Sequence, residues 1–402
     1  MTVAKILGWM GASLLGIGAG LSSYAISNET RAPLKSLTTG VPPRGIAQGN
    51  AALALLAARR ARDPSAGVNA LELRLARQAY RAEPLNVSAI TIQALAEKGT
   101  AEAELRWALL ELAGKLTRRD SLTNMSLIEA AAKRGDDAKS FAWISRTMLT
   151  RSSAAMAYGK AMAAATARDG AVEALIDVLG PKPRWSNLYW QLILEQPNSY
   201  VNAAKLRIAL TKAPWKQTSI ESTDKDLVRV LANAGKFDEA RQLASTLQPV
   251  RTAKGNLLAN GNFSAEPSFA PFDWELSALG NLGASIDKDN RRLVISAIGG
   301  ASGPAARQLV RLAPGNYRLG WVMSNNSPLP ANAISTRIFC GEANGSNVPQ
   351  IMIPLVAGKH QENVKIPHTD CQWRWLSIDV ALPDDAMGAD ILVSALSLAP
   401  VP

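Results

Sequence analysis

The sequence predicts a multidomain α+β protein: an apolar N-terminal membrane helix, an α-α solenoid of paired helices, and a C-terminal antiparallel β-sandwich of jelly-roll type. Three observations carry this reading. Between Lys5 and Glu29 stand 23 uncharged residues. From residue 46 to 250 a stretch rich in Ala, Leu, Arg and Glu has helical periodicity, broken at steps of 28 to 37 residues. From Gly255 onward Asn, Gly, Ser and Pro rise, and period-two alternation takes over. At 402 residues the chain exceeds one ordinary core. Its expected organisation is a membrane anchor or signal segment (1–28), a linker (29–45), a helical repeat region (46–250) and a β-sandwich (255–402).

The apolar part of the first segment, residues 6–26, is long enough to cross a hydrocarbon core of ~30 Å. Gly8, Ala12, Gly16 and Gly20 form a small-residue stripe on one helix face, which would let two membrane helices approach closely. A cleaved signal peptide is the alternative, with Ser23 and Ala25 as the small residues before the cut. The apolar run is longer than a usual signal core, which favours an uncleaved anchor. Lys5 lies on one side and Arg31, Lys35 and Arg44 on the other, so the charge flanks do not favour an exported body. Pro33, Pro42 and Pro43 mark the linker that follows.

Residues 251–402 carry 12 basic and 12 acidic side chains, so the whole net charge of +11 lies in residues 1–250. Either that half meets an anionic surface, or its helices simply present a solvated, Arg-rich face. No zinc finger or aromatic-plus-basic module accompanies the charge, so nucleic acid is not an expected partner.

In the helical region Leu71, Leu75, Ala79 and Ala82 form an i, i+4, i+8, i+11 stripe. Turns inside helix pairs are expected at Gly67, Gly99, Gly135, Gly170, Pro197/Asn198 and Gly235, a period close to that of paired-helix solenoids. One such pair cannot bury its own apolar face, so neighbours must stack. Trp107, Trp143, Trp185, Tyr189, Trp190 and Trp215 read as packing residues of this array. The run Leu231-Ala-Asn-Ala-Gly235-Lys-Phe237-Asp-Glu-Ala240, ending near Pro249, resembles tetratricopeptide repeats. Ala96, Gly99 and Ala103, then Ala132, Gly135, Asp136 and Ala138, and Ala79 with Pro84, match the same pattern. The Trp and Tyr anchors of that pattern are mostly missing. The resemblance implies a protein partner on a concave face; a plain spacer is the alternative.

Beyond Gly255, nine strands are expected: 272–278, 291–297, 306–312, 316–324, 333–340, 349–356, 361–366, 371–380 and 389–398. The opening Asn256-Leu-Leu-Ala-Asn260-Gly261-Asn262-Phe263, the later Pro271-Phe272-Asp273-Trp274, Ala313-Pro-Gly-Asn-Tyr317-Arg-Leu-Gly-Trp321, and the closing Ile391-Leu-Val-Ser-Ala-Leu-Ser-Leu398 resemble β-sandwich carbohydrate-binding modules. The resemblance implies noncatalytic glycan binding and, in some members, a structural calcium; no other cofactor is expected.

Trp373, Trp375 and Trp274 are the candidate sugar-stacking residues. In 371–380, Leu376, Ile378 and Val380 are apolar and face the core, which puts Cys371, Trp373, Trp375, Ser377 and Asp379 on the other face and Arg374 with the core. A bulge that shifts the register would instead bury the Trp pair between the sheets. Trp321 shares its face with Tyr317, Leu319 and Met323 and reads as core. Cys340 and Cys371, the two cysteines of the chain, are expected either to form a disulfide suited to an oxidising compartment or to stay as buried thiols.

Two histidines, His360 and His368, leave little for a metal centre or a histidine relay. No phosphate-binding loop, nucleophile elbow or zinc motif is present, and no metal site is expected. The expectation is therefore a noncatalytic envelope adaptor: an inner-membrane, single-pass protein with a periplasmic body. Its solenoid would hold a protein partner, and its sandwich would contact cell-envelope or exported polysaccharide. The alternatives are a pure protein–protein scaffold of a membrane complex, and a degenerate glycoside hydrolase with two facing carboxylates.

Overall fold

The computed structural model describes residues 3–42, 44–96, 102–248, 255–342 and 350–401, except for the side chains of 3–9, 11 and 12. The chain is mixed α+β: among the described residues, 14 α-helices precede two antiparallel sheets. It divides into two compact units, 1–162 with 182–185, and 163–181 with 186–402.

In the first unit, Val3–Asn28 is a single helix. Its larger described apolar side chains are exposed, Leu14 at 68% and Leu15 at 77%, whereas Ala25 is buried. Among the described residues no helix is long and apolar enough to cross a membrane. The side chains at the start of the expected span 6–26, with Gly8 and Ala12 of the small-residue stripe, lie outside the described residues.

Helices Gly45–Arg60, Ala70–Ala82, Val87–Ala96, Ala103–Leu116, Ser121–Lys133 and Asp137–Thr150 follow. Gly67 lies in the loop between the first two of these. Alanines make close packing possible: Ala52, Ala76, Ala79 and Ala89 share a cluster with Leu56 and Ile92. Trp107, Leu110, Leu127 and Trp143 form another. Arg134 and Lys139 place their cations 5.1 and 5.0 Å from the Trp107 ring centroid.

The helix Ala70–Ala82 starts with a reciprocal cap. Glu72 N donates to Asn69 Oδ1, and Asn69 N donates to Glu72 Oε2. Glu72 is fully buried, and Arg59 Nη1 reaches both its carboxylate oxygens at 2.9 Å.

The second unit carries helices Ala171–Leu179, Ser186–Ile193, Tyr200–Leu210, Ser222–Asn233 and Phe237–Leu247 before the sheets. Gly135, Gly170 and Gly235 stand between helices with φ of +70°, +75° and +71°, the left-handed conformation that ends one helix and lets the next fold back. Pro197 and Asn198 lie in a 3₁₀ turn between two helices. The expected turn at Gly99 and the closing Pro249 lie outside the described residues. Trp107, Trp143, Trp185 and Tyr189 are buried, whereas Trp190 and Trp215 are half-buried.

The strands are β1 (Glu275–Leu276), β2 (Ala278–Leu279), β3 (Leu282–Asp287), β4 (Arg292–Ala297), β5 (Ser302–Arg311), β6 (Gly315–Asn325), β7 (Ile334–Cys340), β8 (Ile351–Pro354), β9 (Gly358–Ile366), β10 (Trp373–Ala381) and β11 (Ala389–Pro400). One sheet runs β1-β5-β10-β7-β8 and the other β2-β3-β4-β11-β6-β9. Strand β3 has no counterpart among the nine expected. Its Gly283, Ala284 and Ser285 have weak strand preference. It forms because it pairs with β4 along six residues and buries Leu282 and Ile286.

The core lies between the sheets, with Leu293, Ile295, Leu319, Trp321, Ile338, Leu376, Ile378, Val380, Ile391 and Val393 among its members. The opening motif of this region is a latch onto β11. Asn256 Oδ1 accepts from Leu398 N at 2.9 Å and Asn256 Nδ2 donates to Leu396 O at 3.2 Å. Leu396 N donates to Gly261 O at 2.8 Å. A Cβ on Gly261 would fall 2.3 Å from Leu396 O, so this close approach needs glycine.

Candidate functional site

Strand β10 is central in its sheet, with β5 on one side and β7 on the other. Its inward residues Leu376, Ile378 and Val380 belong to the core, so Trp373, Trp375, Ser377 and Asp379 share the outer face. The ladder to β5 does shift, between Ile378 and Asp379, beyond the tryptophans. The register therefore carries both tryptophans outward, as alternation implies.

The two have different surroundings. Trp373 is buried, at 6% exposure. Phe272 meets it edge-on at 5.5 Å, and Phe237 of the helix Phe237–Leu247 lies 6.0 Å away. Trp375 is half-buried. Its register partners are Leu309 on β5 and Phe339 on β7, which makes a row of Leu309, Trp375 and Phe339 across three strands.

Arginines flank this row. Arg307 lies 4.3 Å from the Trp375 centroid, and its Nε pairs with Glu275 Oε2 at 2.6 Å. Arg337 lies 4.8 Å from the Phe339 centroid and pairs with Asp379 Oδ2 at 2.7 Å. Asp379 also accepts from the Ser377 hydroxyl. The result is an aromatic platform bordered by guanidinium–carboxylate pairs. Such a surface offers flat apolar area with fixed donors and acceptors beside it, and Arg stacked on a ring is held in one orientation.

Trp274 lies elsewhere. It is 1% exposed, packs 5.6 Å from Phe263, and donates its Nε1–H to Asn260 O at 3.2 Å. Its ring belongs to the sandwich core. Arg374 faces inward and is 1% exposed. Its Nη2 donates to Thr369 Oγ1 at 2.7 Å, while Nε and Nη1 have no hydrogen-bond partner. Burial pushes its guanidinium pKa down, against the pull of Glu342 and Tyr317.

Cys340 and Cys371 form a disulfide, with Cα atoms 6.0 Å apart, inside the usual span. It joins the end of β7 to the residues just before β10. Beside it, Glu342 Oε1 accepts from Gln372 N and Trp373 N at 3.0 and 3.1 Å. Among the described residues, the one group of three His, Cys, Asp or Glu side chains close enough for a shared ion is Cys340, Glu342 and Cys371. Its sulfurs are bonded to each other, and calcium takes six to eight oxygens. These side chains do not fit a structural calcium.

Phe339, Arg307 and Arg337 are the site residues that sequence reasoning passed over. The alternation of Ser335, Arg337 and Phe339 against Ile334, Thr336 and Ile338 was the available signal.

No protein-family model and no curated protein matches this chain. Among solved structures, the sandwich half is similar to a family 4 carbohydrate-binding module: 17% identity over 36% of this chain and 99% of that one, TM-score 0.27. It is also similar to the module TmCBM61, solved with β-1,4-galactotriose, at 14% identity over 36% and 99% of the two chains, TM-score 0.25. The enzymatically active domain of tailspike protein 4 from bacteriophage CBA120 matches at 12% identity over 37% of this chain and 22% of that one, TM-score 0.28.

Proposed function

We propose that this protein is a noncatalytic envelope adaptor. Its β-sandwich binds polysaccharide across the outer face of the five-stranded sheet, and its helical region holds a protein partner. The observation that carries the reading is the half-buried row of Trp375 and Phe339, bordered by Arg307–Glu275 and Arg337–Asp379. Pyranose rings have an apolar C–H face that packs on aromatic rings, and their hydroxyls pair with fixed carboxylates and guanidinium groups. The sequence resemblance to carbohydrate-binding modules points the same way. Arg307 covers part of the Trp375 ring, so a sugar stacks there only if that arginine swings aside or forms the floor of the site.

Affinity electrophoresis of the full-length chain against a panel of neutral and acidic polysaccharides tests this. At least one polymer is expected to retard the protein, and Trp375→Ala is expected to remove most of the retardation, since it takes away the ring on which a sugar would pack. No retardation by any polymer would refute the sugar reading.

A second reading has its own observation. Trp375 and Phe339 are only half-buried on an outer sheet face, and aromatic surface of this kind is also enriched where proteins meet. Under that reading the protein is an assembly scaffold without sugar binding, and Trp375→Ala would weaken co-purification of a partner instead.

Membrane anchoring by residues 6–26 belongs to the same proposal. Leu14, Leu15, Ile17 and Leu21 of the helix Val3–Asn28 are exposed among the described residues, and a disulfide suits a periplasmic body. A reporter enzyme fused after residue 402 is expected to be active only as an exported fusion. Activity confined to the cytoplasmic reporter would overturn both the location and the polysaccharide partner.

A further inference from the structure

Two clefts flank Phe272 in the second unit and share Phe272 and Ala259 as walls. The first, about 240 Å³, contains Glu266, Ser268 and Asp273. Burial pushes the Asp273 carboxyl pKa up. Its oxygens are nonetheless in use: Oδ1 accepts from Trp274 N at 2.8 Å and Oδ2 from Ser268 N at 3.1 Å. That carboxylate holds the loop together.

The second cleft, about 270 Å³, is lined by Arg241, Asn256, Phe272, Gln308, Arg311 and Trp373. Gln308 is spent on Ala259, with both its amide atoms bonded to that residue's backbone. Asn256 is spent on the latch to β11. Two donors are not spent. The Arg241 guanidinium lies 5.5 Å from the Phe272 centroid, and among the described residues no carboxylate or hydrogen-bond acceptor meets it. Burial pushes its pKa down. The buried Trp373 Nε1–H has no acceptor. Arg311, more exposed, is engaged: its Nη1 sits 3.8 Å from Asp238 Oδ1 and its Nη2 donates to Gln372 Oε1 at 2.6 Å.

A partly desolvated cation without a counter-ion is costly, and an entering anion relieves that cost. Guanidinium groups match carboxylates through paired N–H donors. The aromatic walls suit a ring, and the volume is near the lower end of small-molecule sites, room for one sugar unit. We propose that this cleft binds a hexuronate ring, its carboxylate held by Arg241 and its body packed against Phe272 and Trp373. The inference rests on the polysaccharide reading and makes it more specific: the glycan carries acidic sugars.

The test titrates the full-length chain with glucuronate, with glucose and sulfate as controls, and follows tryptophan fluorescence. Retention by a neutral polysaccharide is measured in parallel. Glucuronate is expected to bind while glucose and sulfate do not. Arg241→Gln is expected to weaken it about tenfold or more, the value of one charge-assisted hydrogen bond. Arg241→Lys, which keeps the charge and loses the fork, is expected to fall between, and circular dichroism checks that each variant folds. An unchanged affinity in Arg241→Gln overturns the proposal. So does an absent glucuronate response, or a sulfate response of equal strength. Failure of glucuronate with the neutral polymer still retained removes the cleft alone. Glucuronate binding without any polymer retention supports the cleft and removes the platform reading.

Discussion

Arg207→Ala is expected to destabilise the second unit by about 3–5 kcal/mol, the usual cost of leaving a buried charge without its partner. Arg207 and Asp224 have side chains 4% exposed, joined by Nε to Oδ1 at 2.7 Å and Nη2 to Oδ2 at 3.0 Å. The same guanidinium donates to Gln217 O at 2.7 Å and Ser219 O at 2.8 Å, so it also secures the loop before the helix Ser222–Asn233. Asp224 Oδ2 accepts from Glu221 N at 2.9 Å, which closes the cap of that helix. Alanine would strand the carboxylate and both loop carbonyls. Denaturant titration of the full-length chain measures the loss, and a change below about 1 kcal/mol would mean that water reaches Asp224 as it does an exposed pair. Arg207→Met combined with Asp224→Leu is expected to recover part of the stability, because it removes both buried charges together but still leaves the Gln217 and Ser219 carbonyls and the Glu221 amide without these partners. Arg59 and Glu72 repeat the device in the first unit, with Arg59 also donating to Gly67 O at 2.9 Å. Arg59 is 40% exposed, so its removal is expected to cost less.

Replacing both Cys340 and Cys371 by serine is expected to cost about 3–4 kcal/mol, from the chain entropy released when a loop of this length is no longer closed. The bond spans a sequence separation of 31 residues. Thermal unfolding with and without reductant gives the same comparison on the natural chain. Equal midpoints in both would show that neighbouring β7–β10 pairing alone holds the ends together. The bond lies at the entry of β10, where Glu342 receives the Gln372 and Trp373 amides. Its loss is therefore expected to weaken any ligand contact of Trp373 and Trp375 as well.

Much of this architecture is readable from local pattern. The glycines at 135, 170 and 235 mark reversals because a left-handed residue is needed there, whatever surrounds it. The alternation of 371–378 assigns Leu376 and Ile378 inward and the tryptophans outward because successive strand residues point to opposite faces. Strand β3 was not readable, since its middle residues carry no strand preference and only the pairing with β4 selects it. The asparagine motif at 256–261 was visible as a resemblance, but its physical task, tying the chain to β11, needed the partner strand.

By itself, then, the sequence determined the helix-then-sheet order, the reversals at Gly135, Gly170 and Gly235, the face on which each β10 side chain stands and the two cysteines able to pair. Tertiary structure decided what meets those faces. Phe237, from a helix far earlier in the chain, and Phe272, from a loop, cover Trp373 but leave Trp375 half open. Tertiary structure also put Trp274 inside the core and left Arg241 facing a cleft without a counter-ion. Periodicity is a property of neighbouring residues and reports direction. Burial and charge pairing depend on which distant residue arrives at the other side, and that follows only from packing.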